Sequence, residues 1–185
     1  MDKEEVRMVI DSCHTAWGWV GIACSPDGLL ALTLPEPTPE SALEPLLERW
    51  EKAQRYDDPR LEGLKRKLRE YFEGQRVVFD EPLDLRGATP FQHRVWLAVR
   101  DIPYGETRSY GQIARQVGSS GAARAVGQAM AANPLPIVVP CHRVIGSDGD
   151  LRGFGGGLDL KRRLLEIEGA FKNNLLTCEF SRAPT

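Results

Sequence analysis

The chain has 185 residues, with 24 Lys+Arg against 26 Asp+Glu and a formal net charge of −2. A charged fraction of 27% beside 42% hydrophobic residues excludes a disordered or fibrous chain. No apolar run is long enough to span a bilayer, and the acidic start Met1-Asp2-Lys3-Glu4-Glu5 is no secretory signal, so a cytoplasmic protein without a membrane partner is expected.

The near-neutral total hides a step. Residues 1–85 carry 11 Lys+Arg against 18 Asp+Glu (net −7), and residues 86–170 carry 11 against 7 (net +4). Two modules with different partners are indicated, the basic one being the candidate for a polyanion. Cys13, Cys24, Cys141 and Cys178 are too sparse for a disulfide scaffold.

The first module, residues 1–85, reads as a small α+β domain. Val6 to Ile10, Trp17 to Cys24 and Leu29 to Leu34 are strand candidates, the last two joined by the turn Ser25-Pro26-Asp27-Gly28. A helix is predicted from Ser41, on Leu43, Leu46, Leu47 and Trp50, and another over Pro59 to Phe72, on Leu61, Leu64, Leu68 and Tyr71/Phe72. Gly74 closes the second, Val77 to Phe79 reads as a short strand, and Glu81 to Gly87 as a linker. The module contains no recognisable nucleophile, phosphate loop or metal cluster.

The second module, residues 86–170, reads as mostly helical. Thr89-Pro90 starts a helix with Phe91, Val95, Trp96 and Val99 on one face. Ser109 caps a short helix ending at Gly118, and an alanine-rich helix covers Ala122 to Ala132. Two short helices around a glycine-containing turn form a helix-turn-helix pattern, with Arg124 near the start of the second. A further helix begins near Leu158; its Lys161-Arg162-Arg163 run reads as a solvated face or, at most, a phosphate contact. Residues 171–185, with Asn173-Asn174 and Cys178, form a tail with no assigned role.

The stretch richest in chemistry is Asn133 to Ile145, where the apolar run Ile137 to Val139 leads to Pro140-Cys141-His142-Arg143. A nucleophilic cysteine must be a thiolate, which needs a base or a positive charge nearby. His142 and Arg143 are candidates for either role, and Glu166 or Glu168 for the carboxylate that orients the histidine. The same residue types would serve a hydrolase or an inert buried thiol.

Pro140-Cys141-His142-Arg143-Val144 resembles the active-site signature of the O6-alkylguanine-DNA alkyltransferases. Arg124-Ala125-Val126-Gly127, Asn133-Pro134, Gly153-Phe154-Gly155-Gly156-Gly157 and Glu168-Gly169 recur in the family's order around it. The resemblance implies a ribonuclease-H-like N-terminal domain, a winged-helix-like DNA-binding domain, and single-turnover transfer of an alkyl group from O6 of guanine, less readily O4 of thymine, to Cys141. It implies that His142, acting through water and oriented by Glu168, takes the thiol proton. Asn133 would fix the strand and turn around the cysteine, and Tyr110 would donate to the departing guanine. Arg124 would enter the stack of a flipped base, and the backbone of Val144 and of Phe154, Gly155 and Gly156 would hold the base edge.

The implied partner is double-stranded DNA bearing alkylated bases, met by a monomer without a cofactor. Phe154 stands where many members have tyrosine and Gly155 where some have serine, which bears on substrate preference. Some relatives hold zinc; Cys13, His14, Cys24 and His93 are the candidates, but adjacent Cys13-His14 is poor ligand spacing, and no metal is expected. The alternatives are a non-catalytic binder of alkylated DNA, which Cys141 argues against, a transcriptional regulator and a cysteine hydrolase. The acidic module is expected to face away from the duplex.

Overall fold

Turns at residues 16–17 and 26–27 join three apolar-rich stretches into a meander, whose middle stretch is buried at six successive residues, 20–25. The structure, a computed structural model, describes residues 8–55 and 58–170. Strands β1 (Val9–Thr15), β2 (Gly18–Ser25) and β3 (Gly28–Leu32) form an antiparallel meander. The short β4 (Gln54–Arg55) adds in parallel to β1, giving the order β3-β2-β1-β4. Strand β1 runs further than Ile10, because residues 11–15 pair with 18–22 of β2, with Cys13 and Thr15 buried and Asp11, Ser12 and His14 less so. Residues 6 and 7 of the predicted first strand, like Cys178 and the whole of 171–185, lie outside the described residues.

Each face of the sheet packs on a different partner. Ile10, Ala23, Leu30 and Ala31 meet Leu43 and Leu46 of helix α1 (Pro39–Arg49). That helix starts two residues before Ser41, because Thr38 accepts from the Ser41 amide and Pro39 fits the first turn. Gly21 is required here: a Cβ at this position would run into the carbonyl oxygen of Ala42. The opposite face, with Val9, Cys13, Val20 and Ile22, packs on helix α2 (Glu62–Phe72) through Leu64, Leu68, Tyr71 and Phe72. The same apolar cluster continues without a break into Val95, Trp96 and Val99 of helix α3 (Pro90–Arg100) and on to Leu164.

Val77 to Phe79 is not a strand. Val78 is exposed, and the carbonyls of Phe79 and Glu81 accept from Arg100 Nη2 at 3.1 and 2.8 Å, so a side chain replaces ladder pairing. The strand-like contact comes later, where Leu83 bridges Leu29 in parallel.

In the second module local capping sets the helices. Thr89 and Gln92 form a reciprocal capping box on α3, and Ser109 and Gln112 do so on α4 (Tyr110–Gln116). Helix α5 (Ala123–Ala131) follows the glycine turn, and Trp96 Nε1 donates to Ala129 O at 2.8 Å, tying α3 to it. Strand β5 (Arg108–Ser109) pairs in parallel with β6 (Val144–Ile145), which sets the chain after Cys141 beside the start of α4. Helix α6 (Gly157–Ile167) ends the described chain. No described helix is long and apolar enough to cross a membrane.

Candidate active site at Cys141

The apolar run before the cysteine is a tight loop rather than a strand. Asn133 braces it: its Nδ2 donates to Val139 O at 2.9 Å, and its Oδ1 accepts from the Leu135 amide at 3.0 Å. The loop also accepts from the first module, with Leu32 N donating to Pro134 O at 2.9 Å. Within it Ile137 takes φ of 74°, a strained value for a β-branched residue, and is buried. Cys141 then opens a single 3₁₀ turn, Cys141–Arg143, that delivers three buried side chains in succession.

A cavity of about 590 Å³ opens onto the cysteine. Its lining includes Tyr110, Arg124, Gly127, Arg152, Phe154 and Gly155 beside Cys141. Arg124 is exposed on the first turn of α5, at the mouth. Burial raises the pKa of the Tyr110 phenol, so its hydroxyl keeps its proton at neutral pH and can donate. The structure places Gly156 differently from Phe154 and Gly155: it is not among the lining residues, and a Cβ there would meet Leu160 Cδ2 at 2.5 Å and Leu34 Cδ1 at 2.7 Å. Val144 is buried behind the cavity, its amide bonded to Cys141 O and its carbonyl already accepting from Lys161.

Burial raises the Cys141 thiol above its ordinary value, against the lowering effects of the Asn133 side chain, Lys161 and the backbone amides. The resting thiol is therefore protonated and needs a base. Burial lowers His142, overriding its bond to Glu168, so the imidazole is neutral near pH 7. Its Nε2 lies 2.7 Å from Glu168 Oε1, while Nδ1 has no hydrogen-bond partner among the described residues. Burial would raise Glu168, but hydrogen bonds from His142 and Arg143 hold its carboxyl down at about 2. Glu166 is exposed and plays no part in this contact.

Two assignments change with the geometry. Arg143 does not address the sulfur: it grips both oxygens of Glu168, Nε to Oε2 at 2.8 Å and Nη2 to Oε1 at 2.9 Å, and donates to Ile102 O at 2.6 Å. The positive charge that bears on Cys141 is Lys161, which is fully buried rather than solvated. Its Nζ donates to Val144 O at 2.7 Å and Arg152 O at 2.9 Å, tying the glycine-rich loop to β6, and burial depresses it to about 8. The signal for Lys161 lay in register: Lys161, Leu164, Leu165 and Glu168 fall on one helical face. Arg162 and Arg163 are exposed, Arg163 lying over the Trp17 ring.

Among the described residues no group of three His, Cys, Asp or Glu is gathered as metal ligands. Cys13 and Cys24 are buried, His14 stacks on Trp19, and His93 is exposed on α3.

Two family models match the chain: the ribonuclease-like domain of 6-O-methylguanine DNA methyltransferase over residues 11–85, and its DNA binding domain over residues 90–170. A methylated-DNA--protein-cysteine methyltransferase of Mycobacterium bovis is 54% identical over 129 residues, covering 70% of this chain and 75% of the relative. One of Mycolicibacterium paratuberculosis is 50% identical over 151 residues, covering 78% and 88%. The crystal structure of the Mycobacterium tuberculosis O6-methylguanine methyltransferase superposes with a TM-score of 0.73 at 45% identity, covering 88% of this chain and 93% of that one. A Mycobacterium tuberculosis structure in complex with DNA gives 0.72 at 44% identity, with the same coverage.

Proposed function

The chain belongs to the 6-O-methylguanine DNA methyltransferase family, and we propose that it repairs DNA by moving an alkyl group from O6 of guanine, less readily O4 of thymine, irreversibly onto its own Cys141. The observation that carries this is the cysteine at the floor of a cavity bordered by α4 and α5, with a neutral imidazole fixed by an ionised carboxylate beside it.

An alkyl carbon on a stacked base cannot be reached in line, so the damaged nucleotide leaves the helix and enters the cavity. Arg124, at the mouth, fills the gap it leaves. Cys141 gives its proton through water to His142, and Glu168 stabilises the imidazolium. The sulfur lone pair then forms a bond to the alkyl carbon as the carbon–O6 bond breaks, its electron pair passing to the purine. Tyr110 donates to the purine as that charge develops, and the proton held on His142 neutralises the base in the end. Asn133 holds the loop that carries the sulfur. Phe154 gives the base a ring to lie against, and the backbone of Gly155 meets its edge, whereas both backbone groups of Val144 are already bonded within the protein. The product is a neutral thioether, a poor leaving group, so each molecule acts once.

The charge step supports a DNA face on the 86–170 module, with 1–85 supporting and 171–185 a tail. We infer that, with DNA as its substrate, the protein works in the cytoplasm as a monomer. The test is a mass measurement: after incubation with duplex containing O6-methylguanine, the peptide holding Cys141 should gain one methyl group per molecule. Folded protein whose peptide mass is unchanged, or that turns over repeatedly, refutes the reading. Cys141→Ala should still bind damaged duplex while transferring nothing.

A further inference from the structure

Tyr71 belongs to α2, in the module where the sequence offers no chemistry. Its side chain is fully buried. The hydroxyl donates to Glu168 Oε1 at 2.6 Å and lies 3.2 Å from His142 Nε2. An ionised carboxylate only accepts. His142 Nε2, 2.7 Å from that same oxygen, therefore carries the ring proton. The phenol has one proton and gives it to Glu168, which leaves its lone pairs facing Nε2–H. A phenylalanine would fill the same space without burying a hydroxyl, so packing alone does not explain a tyrosine here.

We propose that Tyr71 is a positioning residue of the alkyl-transfer site: through its hydroxyl the N-terminal module fixes the Glu168 carboxylate and keeps the His142 proton on Nε2, so that Nδ1 is presented as the base. The inference rests on the reading of Cys141 as an alkyl acceptor. The other groups facing the pair come from three elements. Arg143 donates to both Glu168 oxygens, and the Gly105 amide donates to Oε2 at 3.3 Å. The Tyr104 hydroxyl is turned to Ile167 O and Gly74 O, and the Lys161 charge bears on His142 from α6. With the Tyr71 hydroxyl removed, Glu168 loses one donor and attracts the imidazolium more strongly. His142 then protonates at higher pH and is available as a base for less of the time.

The test uses Tyr71→Phe, which keeps the ring, and Tyr104→Phe, which removes a neighbouring phenol hydroxyl that touches neither His142 nor Glu168. Two readouts are taken across pH: nitrogen-15 NMR of His142, and the single-turnover rate on O6-methylguanine duplex. The unsubstituted protein should show the Nε2–H tautomer. In Tyr71→Phe the His142 midpoint should move up in pH, the acid limb of the rate profile should move with it, and the rate near neutrality should fall about tenfold, within what acid–base groups contribute. Tyr104→Phe should leave the midpoint in place. An Nδ1–H tautomer in the unsubstituted protein overturns the proposal, even if the variant fails to fold. So does an unmoved midpoint in Tyr71→Phe, or an equal shift in both variants. The NMR result stands without any alkyl transfer, so failure of the parent protein to transfer methyl refutes the functional reading separately.

Discussion

The Lys161 ammonium donates to two backbone carbonyls and sits in a site from which water is excluded, 5.9 Å from the Tyr110 ring centroid. Removing it by Lys161→Met keeps much of the stem's volume but leaves Val144 O and Arg152 O without their buried donor. Each orphaned acceptor costs about 1–3 kcal/mol, so chemical denaturation should show a loss of a few kcal/mol. Transfer should slow as well, because the glycine-rich loop is released and the thiol loses the cation that lowers it. A variant with unchanged stability and rate would show the lysine to be incidental.

Glu168 and His142 should both contribute to the response to acid. Glu168 is at about 2 in the folded protein against an ordinary 4.5. Its folded value is depressed, so it stabilises the fold above pH 4.5, and that contribution of about 3 kcal/mol is lost as pH falls from 4.5 to 2. His142 acts in the same sense: burial lowers it below 6.5, so the unfolded chain takes up that proton first and stability begins to fall below pH 6.5. Denaturation between pH 7 and 3 should therefore show a steep acid decline, flattened in Glu168→Gln. An equally steep decline in that variant would place the acid sensitivity elsewhere.

At the scale of elements, α1 is held to the sheet by a close approach at Gly21. In Gly21→Ala the new methyl group collides with the Ala42 carbonyl, which is backbone and cannot swing away. Overpacking of this kind costs about 1–3 kcal/mol, a drop of several degrees in melting temperature. Because α1 lies on the sheet face away from α2, the folded fraction should transfer alkyl groups at the parental rate; a slower rate per folded molecule would mean that α1 bears on the site. The helix starts are the elements most legible in sequence. Thr89 and Ser109 cap α3 and α4 through partners three residues away, so the information is local. Val77 to Phe79 had the composition of a strand, but Arg100, a residue from another module, took the carbonyls of Phe79 and of Glu81 just beyond it. No window around residue 78 contains that arginine.

The whole molecule shares one apolar cluster across the sheet, α2 and the second module. Tyr71 reaches the relay across that shared core, so the acidic module is close to the chemistry even though its charge suits no polyanion. The exposed Arg124 and the net +4 of residues 86–170 should make DNA association electrostatic and tolerant of sequence. With Cys141→Ala used to prevent reaction, log affinity should fall linearly with log salt, by a slope of about −0.9 for each phosphate neutralised. Arg124→Ala should weaken binding but leave that slope unchanged, because the guanidinium enters the base stack; a slope lowered by about one unit would place it on phosphate instead. Affinity that is insensitive to salt would refute electrostatic docking on this face.

The capped helices, the helix-turn-helix and the cysteine motif are legible along the chain, because each is written in residues a few positions apart, and the modules' charges follow from composition. Contacts across the fold decided the rest. Lys161 lies in a run of three cations and looks solvated, yet the packing of α6 turns it alone inward. Arg143 is next to His142 in the chain, yet its charge goes to Glu168 rather than to the sulfur. Tyr71 is separated from His142 by 71 residues and from Glu168 by 97, and only the shared core brings the three together. A buried charge or hydroxyl is stabilised by whichever partners the fold delivers, and those partners are set by tertiary packing rather than by spacing along the chain.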